Sequence, residues 1–558
     1  MEKTNYTYRQ GGSKSLCEAL DYASLSASQI RFFDINGNLA QQCTYKELRL
    51  KALKLANYLI SLGYKRGSRV AIIAQTRLEF HIVFFACQYA GLIPSPLPFS
   101  IMPGGQEAYE KKLLTCLKLL KPALIVSPAS IEAIAKNVGV ACGAAVASYE
   151  ALTAEMQQAE PYENAQETAL KENELAYVQF SSGSTSDPSG LLITQKALMA
   201  NLESIATDAN SVIEHEQVFS WIPFDHSMGI VGFIFSPINT QSNADYIAPS
   251  TFMAQPQLWL ELLSRCRSTL TFAPIFAYEL ATKSRDPNKK LDLSNLRNAG
   301  IGGDMVNIRA LRSFAEAMKD TGFRYERFSP SYGLSEMVLA VAIVRPETPP
   351  FTHMFPEISV SQELVSSGKV LPGYSIKIKH DEQDSSPENP AYIGEIYVKG
   401  PSLVTDSLNA QEKLKQDADG YIATGDYGFL YEDQLFVTGR LKDMIIIRGR
   451  NIWAQDVEWA VMGCDTKLHK HSSAAIGITE NNEERLVVII QNENYDHLTR
   501  AALTKQILQT INQTFGVKAQ LVWVHPNQLA TTTVGKLARA KIKQDYLDGK
   551  LSILHDQE

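Results

Sequence analysis

Short apolar runs alternate along this chain with segments whose apolar residues recur at helical spacing. Runs of strand length, rich in branched aliphatic residues, occupy residues 69–74, 123–126, 395–398, 444–447 and 486–490. Helical periodicity follows the last of them over residues 498–515. Apolar runs of this length are typical of strands. Their alternation with helices predicts an α/β protein whose β-sheets are flanked by helices.

The most apolar segment of the chain lies between His81 and Phe99. Polar and helix-breaking residues, including Gly91, Pro94 and Pro96, interrupt it. It therefore lacks the roughly 20 consecutive apolar residues that a membrane-spanning helix requires. We expect a buried helix that runs into a strand, and no integral membrane segment.

Length and composition limit the function further. The chain has 558 residues, 45% of them hydrophobic, which is enough for two or more domains with large cores. Its formal net charge of −7 gives no reason to expect nucleic acid as a partner. Seven scattered cysteines indicate neither a disulfide framework nor a zinc site, and the N-terminus lacks the apolar core of a signal peptide. We expect a cytoplasmic protein.

A loop rich in glycine and hydroxyl residues, SSGSTSDPSG at 181–190, follows the strand-like run 175–180. Glycines let a backbone approach a ligand closely, and hydroxyls donate hydrogen bonds. A helix that begins near Leu191 can direct its N-terminal amides at an anion. The loop is not a Walker loop, because it contains no lysine. These features predict a phosphate-binding loop; taken alone, the same residues also fit a solvated turn.

Further motifs follow this loop in order. They are WIPFDHSMGIVG at 221–232, NAGIGGD at 298–304, SYGLSE at 331–336, TGD at 424–426, GRLKD at 439–443 and TVGKLAR at 533–539. In this order and at these spacings the set resembles the adenylate-forming superfamily of acyl-CoA synthetases, luciferases and peptide-synthetase adenylation domains. The resemblance covers almost the whole chain. It implies a large N-terminal domain over residues 1–440 and a small, mobile α+β C-terminal domain over residues 441–558.

Within that superfamily, three stretches are most similar to fatty acyl-AMP ligases. They are CRSTLTFAPIFAYEL at 266–280, VSSG at 365–368 and RLKDMIIIRGRNIWAQDVE at 440–458. Fatty acyl-AMP ligases convert a fatty acid and ATP to acyl-AMP and pyrophosphate, and pass the acyl group to the phosphopantetheine thiol of an acyl carrier protein. The resemblance therefore implies ATP and Mg²⁺ as cofactors, a fatty acid as substrate and an acyl carrier protein as partner.

The resemblance also implies which residues hold the phosphates and the metal. The β- and γ-phosphates would be held by Ser182, Gly183, Ser184 and Thr185. Glu336 would bind Mg²⁺, with the hydroxyl of the neighbouring Ser335 on phosphate, and a hard cation that bridges phosphates needs only one or two such protein oxygens. An isolated glutamate would fit a surface carboxylate equally well.

The adenosine site is implied in the same way. It would comprise Gly302, Gly303, Asp304, Ser331, Tyr332, Gly333, Asp426 and Arg440. Tyr332 offers a flat face for adenine, and the carboxylate oxygens of Asp426 suit the two ribose hydroxyls. Arg440 adds a donor fork for ribose or phosphate. A buried structural tyrosine is the alternative for Tyr332.

Lys536 is the candidate catalytic residue, together with Glu336 and Arg440. Its ammonium can reach both the incoming carboxylate and the α-phosphate and neutralise charge that would otherwise repel. Lys442 matches the hinge position about which the C-terminal domain of such enzymes turns. Without its motif, Lys536 would be an ordinary solvated lysine.

The acyl-binding residues are implied to be His226, Met228, Gly229, Gly232, Phe276 and Tyr278. His226 matches a position between the nucleotide and the acyl pocket, where it would act as a substrate gate. The others would line an apolar tunnel. A hydrogen-bonded core histidine and a plain apolar core are the alternatives.

Two other functions stay open. A fatty acyl-CoA ligase would use free coenzyme A, and the run at about 341–370, where fatty acyl-AMP ligases carry an insertion thought to block coenzyme A, is short here. A catalytically silent protein would keep the fold to bind acyl adenylates or to act as a scaffold, although the joint presence of Lys536, Glu336, Asp426 and Arg440 argues against it.

A docking face for an acidic acyl carrier protein is a further candidate near the C-terminus. Its cations would be Arg448, Arg450, Arg539, Lys541 and Lys543. A solvated charged helix fits the same residues.

Overall fold

The computed structural model describes most of the chain. The described residues are 6–99, 105–181, 188–209, 211–355, 363–379, 393–409, 414–447, 450–465, 467–469, 471–480, 483–531 and 536–554. They form two compact units. The first comprises Met1–Phe351, Ser366–Ile376 and Val398–Ile422, and the second Thr352–Val365, Lys377–Tyr397 and Ala423–Glu558. The domain boundary expected at residue 440 stays a prediction.

Strands are distributed over the whole chain. In chain order they are β1 Gln29–Phe33, β2 Leu39–Thr44, β3 Arg69–Ala74, β4 Ile93–Pro98, β5 Leu124–Ser127, β6 Ala145–Ser148, β7 Leu175–Ser181, β8 Ser189–Thr194, β9 Gln217–Ser220, β10 Asn243–Tyr246, β11 Leu270–Ala273, β12 Asn298–Ile301, β13 Phe328–Tyr332, β14 Ala342–Ile343, β15 Thr352–His353, β16 Leu364–Val365, β17 Lys369–Val370, β18 Ser375–Lys379, β19 Gly394–Lys399, β20 Ile422–Tyr431, β21 Gln434–Arg440, β22 Met444–Ile447, β23 Arg450–Trp453, β24 Ser473–Glu480, β25 Glu483–Gln491 and β26 Ala519–Val524.

Helices alternate with these strands. They are α1 Leu16–Ala23, α2 Tyr45–Ser61, α3 Leu78–Tyr89, α4 Gly105–Leu120, α5 Glu132–Cys142, α6 Tyr149–Gln158, α7 Ala165–Thr168, α8 Gln195–Glu203, α9 Ser227–Ile230, α10 Ser236–Asn239, α11 Pro249–Ala254, α12 Pro256–Arg265, α13 Ile275–Ser284, α14 Ile308–Ala317, α15 Ala454–Met462, α16 His497–Phe515 and α17 Arg539–Leu547. The predicted α/β class is confirmed. Among the residues that the structure describes, none of the helices combines the length and apolar content that a bilayer crossing requires.

The largest sheet of the first unit positions most of the predicted motifs. Its order is β17-β14-β13-β12-β11-β9-β10-β1-β2, and the strands from β13 to β1 run parallel. The carboxyl ends of parallel strands share one edge of a sheet, which is where α/β proteins bind ligands. The motifs at 221–232, 302–304 and 333–336 follow β9, β12 and β13 and therefore lie along that edge.

Two predicted secondary-structure assignments in the first unit are confirmed. The run 69–74 is β3, which lies in the parallel sheet β4-β3-β5-β6 and is buried from its second residue onward. The apolar segment between His81 and Phe99 is helix α3 followed by strand β4, as expected. Strands buried on both faces lack polar alternation, which explains the continuous apolar runs.

The helix expected near Leu191 is wrong. Residues 189–194 form β8, which pairs antiparallel with β7 and sets Leu191 opposite Gln179. The next helix begins only after Thr194, whose hydroxyl accepts a hydrogen bond from the N–H of Ala197 and caps α8. The glycine-rich loop therefore joins two strands of a hairpin instead of leading into a helix.

Sheet β24-β25-β26 organises the core of the second unit. Leu486, Val488 and Ile490 pack on one face, together with residues of α15 and α16. Val487 and Ile489 pack on the other face, together with Ile542 of α17. Since successive side chains of a strand point to opposite faces, a strand covered on both sides must be apolar throughout, which accounts for the run 486–490.

An ion-pair cluster ties α17 to the rest of the second unit. Arg539 donates to Asp443 at 2.7 Å and to both carboxylate oxygens of Glu458 at 2.9 and 2.7 Å. Its side chain is 12% exposed and that of Glu458 is 6% exposed. Arg539 is therefore engaged inside the unit and is not available as a docking cation, whereas Lys541 is 59% exposed.

Replacing Arg539 will test this cluster. We expect Arg539→Ala to lower the free energy of unfolding by about 3–5 kcal/mol, because it leaves the buried carboxylate of Glu458 and the partly buried carboxylate of Asp443 without their cation. Lys541→Ala, on the same helix, removes only an exposed pair with Asp545 and should change stability by well under about 1 kcal/mol. Urea denaturation of both variants measures the difference, and equal losses would contradict the assignment.

Candidate active site

The loop between β13 and β14 carries Glu336. The chain turns back tightly here, since the N–H of Val341 donates to the carbonyl of Tyr332 at 2.9 Å. A Cβ on Gly333 would lie 1.7 Å from the carbonyl oxygen of Leu339, so this position admits only glycine. Glu336 lies in a single 3₁₀ turn, Ser335–Met337, and its side chain is half-buried.

Two hydroxyl oxygens lie together at the start of this turn. The hydroxyl of Ser335, the residue before Glu336, lies 3.4 Å from the hydroxyl of Ser227. The N–H of Val404 fixes the Glu336 carbonyl at 2.8 Å. Groups of three or more His, Cys, Asp or Glu residues that could hold a metal are absent from the described part of the chain. A single carboxylate with neighbouring hydroxyls fits the way Mg²⁺ is held when phosphates and waters complete its shell.

The ends of β12 and β13 bring candidate nucleotide and acyl residues together. The Ser331 hydroxyl donates to the carbonyl of Ile301 at 3.0 Å. A Cβ on Gly302 would lie 3.1 Å from both the Ser331 hydroxyl and the terminal methyl of Met228. Tyr332, the residue after Ser331, is buried, with 8% of its surface exposed. Gly303 and Asp304, which follow Gly302, are half-buried. An aliphatic side chain at position 302 would fill the space beside the Ser331 hydroxyl and the Met228 side chain.

His226 begins the helical segment at the same edge. Its Nδ1 accepts a hydrogen bond from the N–H of Met228 at 3.2 Å and caps α9. The neutral imidazole therefore carries its proton on Nε2. A π-helical turn, Val231–Phe235, follows α9, and such turns recur at functional sites. A Cβ on Gly232 would meet only the Leu339 side chain, at 3.5 Å, whereas one on Gly229 would lie 2.0 Å from the Pro223 carbonyl oxygen.

Phe276 and Tyr278 lie on α13 within an aromatic cluster. The Tyr278 hydroxyl donates to the Gly300 carbonyl at 2.8 Å, and its ring packs edge-on against Trp259. Phe276 packs against Trp221, a residue to which the sequence assigned no role. Both predicted tunnel residues are at most 2% exposed. Their place in an acyl tunnel stays a prediction.

Asp426 and Arg440 meet in the second unit. They are paired across β20 and β21, and Arg440 Nε donates to the Asp426 carboxylate at 2.8 Å. The Thr424 hydroxyl fixes the start of β20, because it donates to the Ile396 carbonyl at 2.7 Å and accepts from the Asp426 N–H at 3.1 Å. The Arg440 side chain is 54% exposed and remains accessible to a ligand.

Lys536 lies close to this pair. Leu537, the residue after Lys536, forms an antiparallel bridge with Thr531. Burial and the positive charge of Arg440 lower the pKa of Lys536 to about 8, while the carboxylates of Asp426 and Asp443 act in the opposite direction. A lysine with a pKa this near neutrality is typical of functional sites. Asp443 received no role from the sequence, although it closes the motif GRLKD.

Several predicted positions remain to be placed. Ser182, Gly183, Ser184 and Thr185 lie outside the described residues, as does Arg448. Lys442 is exposed in the 3₁₀ turn Leu441–Asp443 between β21 and β22. Its role as a hinge stays a prediction. The residues that the structure does bring together are therefore Met228, Gly302 and Ser331 in the first unit, and Asp426, Arg440 and Lys536 in the second.

Comparison with known proteins places this chain in a family. The model of the AMP-binding enzymes matches residues 28–406, and that of the Disco-interacting protein 2-like AMP domain matches residues 442–556. A putative acyl-CoA synthetase of Caulobacter vibrioides is 34% identical over 97% of both chains. The long-chain-fatty-acid–AMP ligase FadD23 of Mycobacterium tuberculosis is 28% identical over 86% of both.

A solved structure extends this similarity to the fold. It comes from a study of fatty acyl-adenylate ligases from E. coli and L. pneumophila, and it superimposes with a TM-score of 0.88 at 33% identity. The match covers 98% of this chain and 100% of the other. The resemblance to fatty acyl-AMP ligases inferred from the motifs is thus confirmed, and this chain belongs to the AMP-binding enzyme family.

Proposed function

We propose that this protein is a fatty acyl-AMP ligase. A carboxylate oxygen of the fatty acid attacks the α-phosphorus of ATP, the bond from that phosphorus to the β-bridging oxygen breaks, and pyrophosphate leaves. A phosphopantetheine thiolate of an acyl carrier protein then attacks the acyl carbonyl, and AMP leaves with the oxygen that had joined it to the acyl group. Membership of the AMP-binding enzymes and the named relatives support this assignment.

The observation that carries the proposal is the position of Lys536 beside Asp426 and Arg440. Both reactants of the first step are anions, so the step needs positive charge that is already in place. Lys536 neutralises the attacking carboxylate and the α-phosphate, and Arg440 adds a second cation. Asp426 accepts hydrogen bonds from the ribose hydroxyls and thereby positions the α-phosphate relative to Lys536 and Arg440.

The first unit carries the other predicted functional residues. Glu336 would hold Mg²⁺, with the hydroxyl of the neighbouring Ser335 on phosphate, and the metal, when bound, would neutralise the departing pyrophosphate. Gly302, Ser331 and Tyr332 receive the adenine. Gly303 and Asp304 complete the turn after β12, and Gly333 completes the turn after β13. His226, at the start of α9, separates the nucleotide from an acyl chain lying along Met228 and Gly232.

The strand pair β15–β16 supports the proposal of a carrier protein, rather than free coenzyme A, as acceptor. Strands β15 and β16 pair antiparallel after the tyrosine–glycine motif, at the place of the insertion that fatty acyl-AMP ligases carry. The ring of His353 stacks on Tyr431, with centroids 5.3 Å apart, and Phe355 packs edge-on against Phe429 and Phe436. We propose that this anchored hairpin limits the domain movement that coenzyme A requires.

Product analysis tests the proposed function. With Mg-ATP and a panel of radiolabelled fatty acids, we expect acyl-AMP to accumulate in the presence of coenzyme A and to be consumed when a phosphopantetheinylated carrier is added. Lys536→Ala should lower the rate of acyl-AMP formation by about 10²- to 10³-fold, because one charge-stabilising donor is lost. Efficient formation of acyl-CoA would assign the protein to the acyl-CoA ligases. Failure to form any adenylate would leave only a binding role.

The pH dependence of adenylation tests the role of the Lys536 charge. Because its pKa is lowered to about 8, the ammonium form is lost as pH rises through that value. We expect kcat/KM for ATP–pyrophosphate exchange, which reports the free enzyme, to fall above about pH 8. In Lys536→Arg this fall should disappear, since a guanidinium stays protonated.

Lys541→Arg is the matched control for the pH profile, because it makes the same change at an exposed position of α17. Its profile should equal that of the unaltered protein. An alkaline fall that persists in Lys536→Arg would contradict the assignment of the titrating group.

Loosening the hairpin tests acceptor choice. We expect Phe355→Ala to form acyl-CoA from free coenzyme A while the rate of acyl-AMP formation stays within about twofold, because the substitution removes the aromatic anchor and leaves Lys536 in place. Phe515→Ala, which removes a ring packed on the core of the same unit, controls for destabilisation. If neither variant forms acyl-CoA, the hairpin does not exclude coenzyme A.

A further inference from the structure

The loop that carries Glu336 contains a backbone conformation that its own sequence does not favour. Val338, two residues after Glu336, has φ +68° and ψ −60°, and it is 1% exposed. The N–H of Leu339 donates to the carbonyl of Met337 at 2.8 Å, which closes a γ-turn around Val338. A β-branched residue at positive φ is strained, and such a conformation persists only where its surroundings hold it.

Three buried polar side chains from separate segments hold this turn. Asn201, near the end of α8, accepts from the N–H of Ala340 at 3.1 Å and donates to the carbonyl of Ala340 at 2.8 Å. Asn201 also donates to the Tyr374 hydroxyl at 2.7 Å. The Tyr374 hydroxyl donates to Ser402 at 2.8 Å, and the Ser402 hydroxyl donates to the carbonyl of Met337 at 2.8 Å.

This chain of hydrogen bonds starts and ends on the strained turn. Met337 lies one residue before Val338 and Ala340 lies two residues after it, so the network binds the main chain on both sides of Val338. Asn201 and Ser402 are fully buried, and Tyr374 is 7% exposed. Inside the protein each bond strengthens its neighbours, and the loss of one member leaves a buried partner unsatisfied. Groups remote in sequence thus hold the turn in addition to its own hydrogen bond from Leu339 to Met337.

The network acts next to the carboxylate on which the metal is proposed to depend. Its bond to Met337 lies one residue from Glu336. The segment that carries Ser402 also supplies the N–H of Val404, which binds the Glu336 carbonyl at 2.8 Å. We propose that Asn201, Tyr374 and Ser402 are positioning residues that orient Glu336 toward Mg²⁺ and the phosphates of ATP. This inference rests on the proposed function.

Removal of one hydroxyl tests the inference with little change in packing. Tyr374→Phe breaks the network at its centre. Tyr149→Phe is the matched control in the same unit, because Tyr149 is also buried and its hydroxyl also donates a hydrogen bond, to the Ile73 carbonyl at 2.7 Å. We expect both variants to fold and to lose similar thermal stability, so that any difference between them reports the site and not general destabilisation.

Magnesium dependence is the first readout. In Tyr374→Phe, the Mg²⁺ concentration for half-maximal fatty-acid-dependent ATP–pyrophosphate exchange should rise about tenfold, since groups that orient metal ligands affect metal affinity on this scale. The KM for fatty acid should stay unchanged. Tyr149→Phe should match the unaltered protein in both quantities.

Metal binding without turnover is the second readout. Mn²⁺ replaces Mg²⁺ as a paramagnetic probe and is titrated against each protein with α,β-methylene-ATP, in which the α–β bridge cannot be cleaved. Electron paramagnetic resonance should show Mn²⁺ bound about tenfold more weakly by Tyr374→Phe than by Tyr149→Phe.

Each other outcome overturns the inference in an identifiable way. Equal metal affinities in the two variants would make Tyr374 a structural residue only. A change in the KM for fatty acid without a change in metal dependence would assign the network to the acyl pocket. If the unaltered protein shows no fatty-acid-dependent exchange, the proposed function itself fails and the inference fails with it. If the unaltered protein does show this exchange and its Mg²⁺ dependence is the same in Tyr374→Phe, the inference fails and the proposed function stands.

Discussion

Repulsion between a carboxylate and a triphosphate is the constraint on which this site depends. Cations that approach the phosphates must be fixed before the reaction, because reorganisation during it would remove their advantage. In the second unit the antiparallel pairing of β20 and β21 sets Asp426 beside Arg440, and Lys536 lies close to both. In the first unit a tight loop presents Glu336 at the carboxyl edge of a parallel sheet. Within each unit, ordinary strand geometry thus fixes the charged residues that the proposed chemistry uses.

Local patterns predicted what depends on local residues. The run 69–74 is a strand, β3, because a strand buried on both faces must be apolar, and the ordered motifs indicated the family through their order and spacing. The helix expected near Leu191 was wrong, because hydroxyls and glycines before an aliphatic run fit a hairpin as well as a helix start. Tertiary pairing with β7, which no local pattern encodes, decided between them.

Long-range contacts explain what the sequence could not indicate. Arg539 stands in a recognisable motif and was expected to be exposed, yet it is engaged by Asp443 and Glu458 from distant positions. Asn201, Tyr374 and Ser402 lie in no motif, and only the fold brings them to the turn around Val338. The candidate catalytic residues could therefore be named from the sequence, whereas the groups that orient them required the structure.

Isotope transfer tests the central claim most directly. A fatty acid labelled with ¹⁸O in both carboxylate oxygens is incubated with the protein, Mg-ATP and hydroxylamine, which takes the acyl group. If the carboxylate attacks the α-phosphorus, one labelled oxygen must remain on AMP after acyl transfer, and mass spectrometry should find AMP heavier by about 2 mass units. Label in orthophosphate, or unlabelled AMP beside an acyl product, would contradict the account, because the acid would then have been activated without an adenylate.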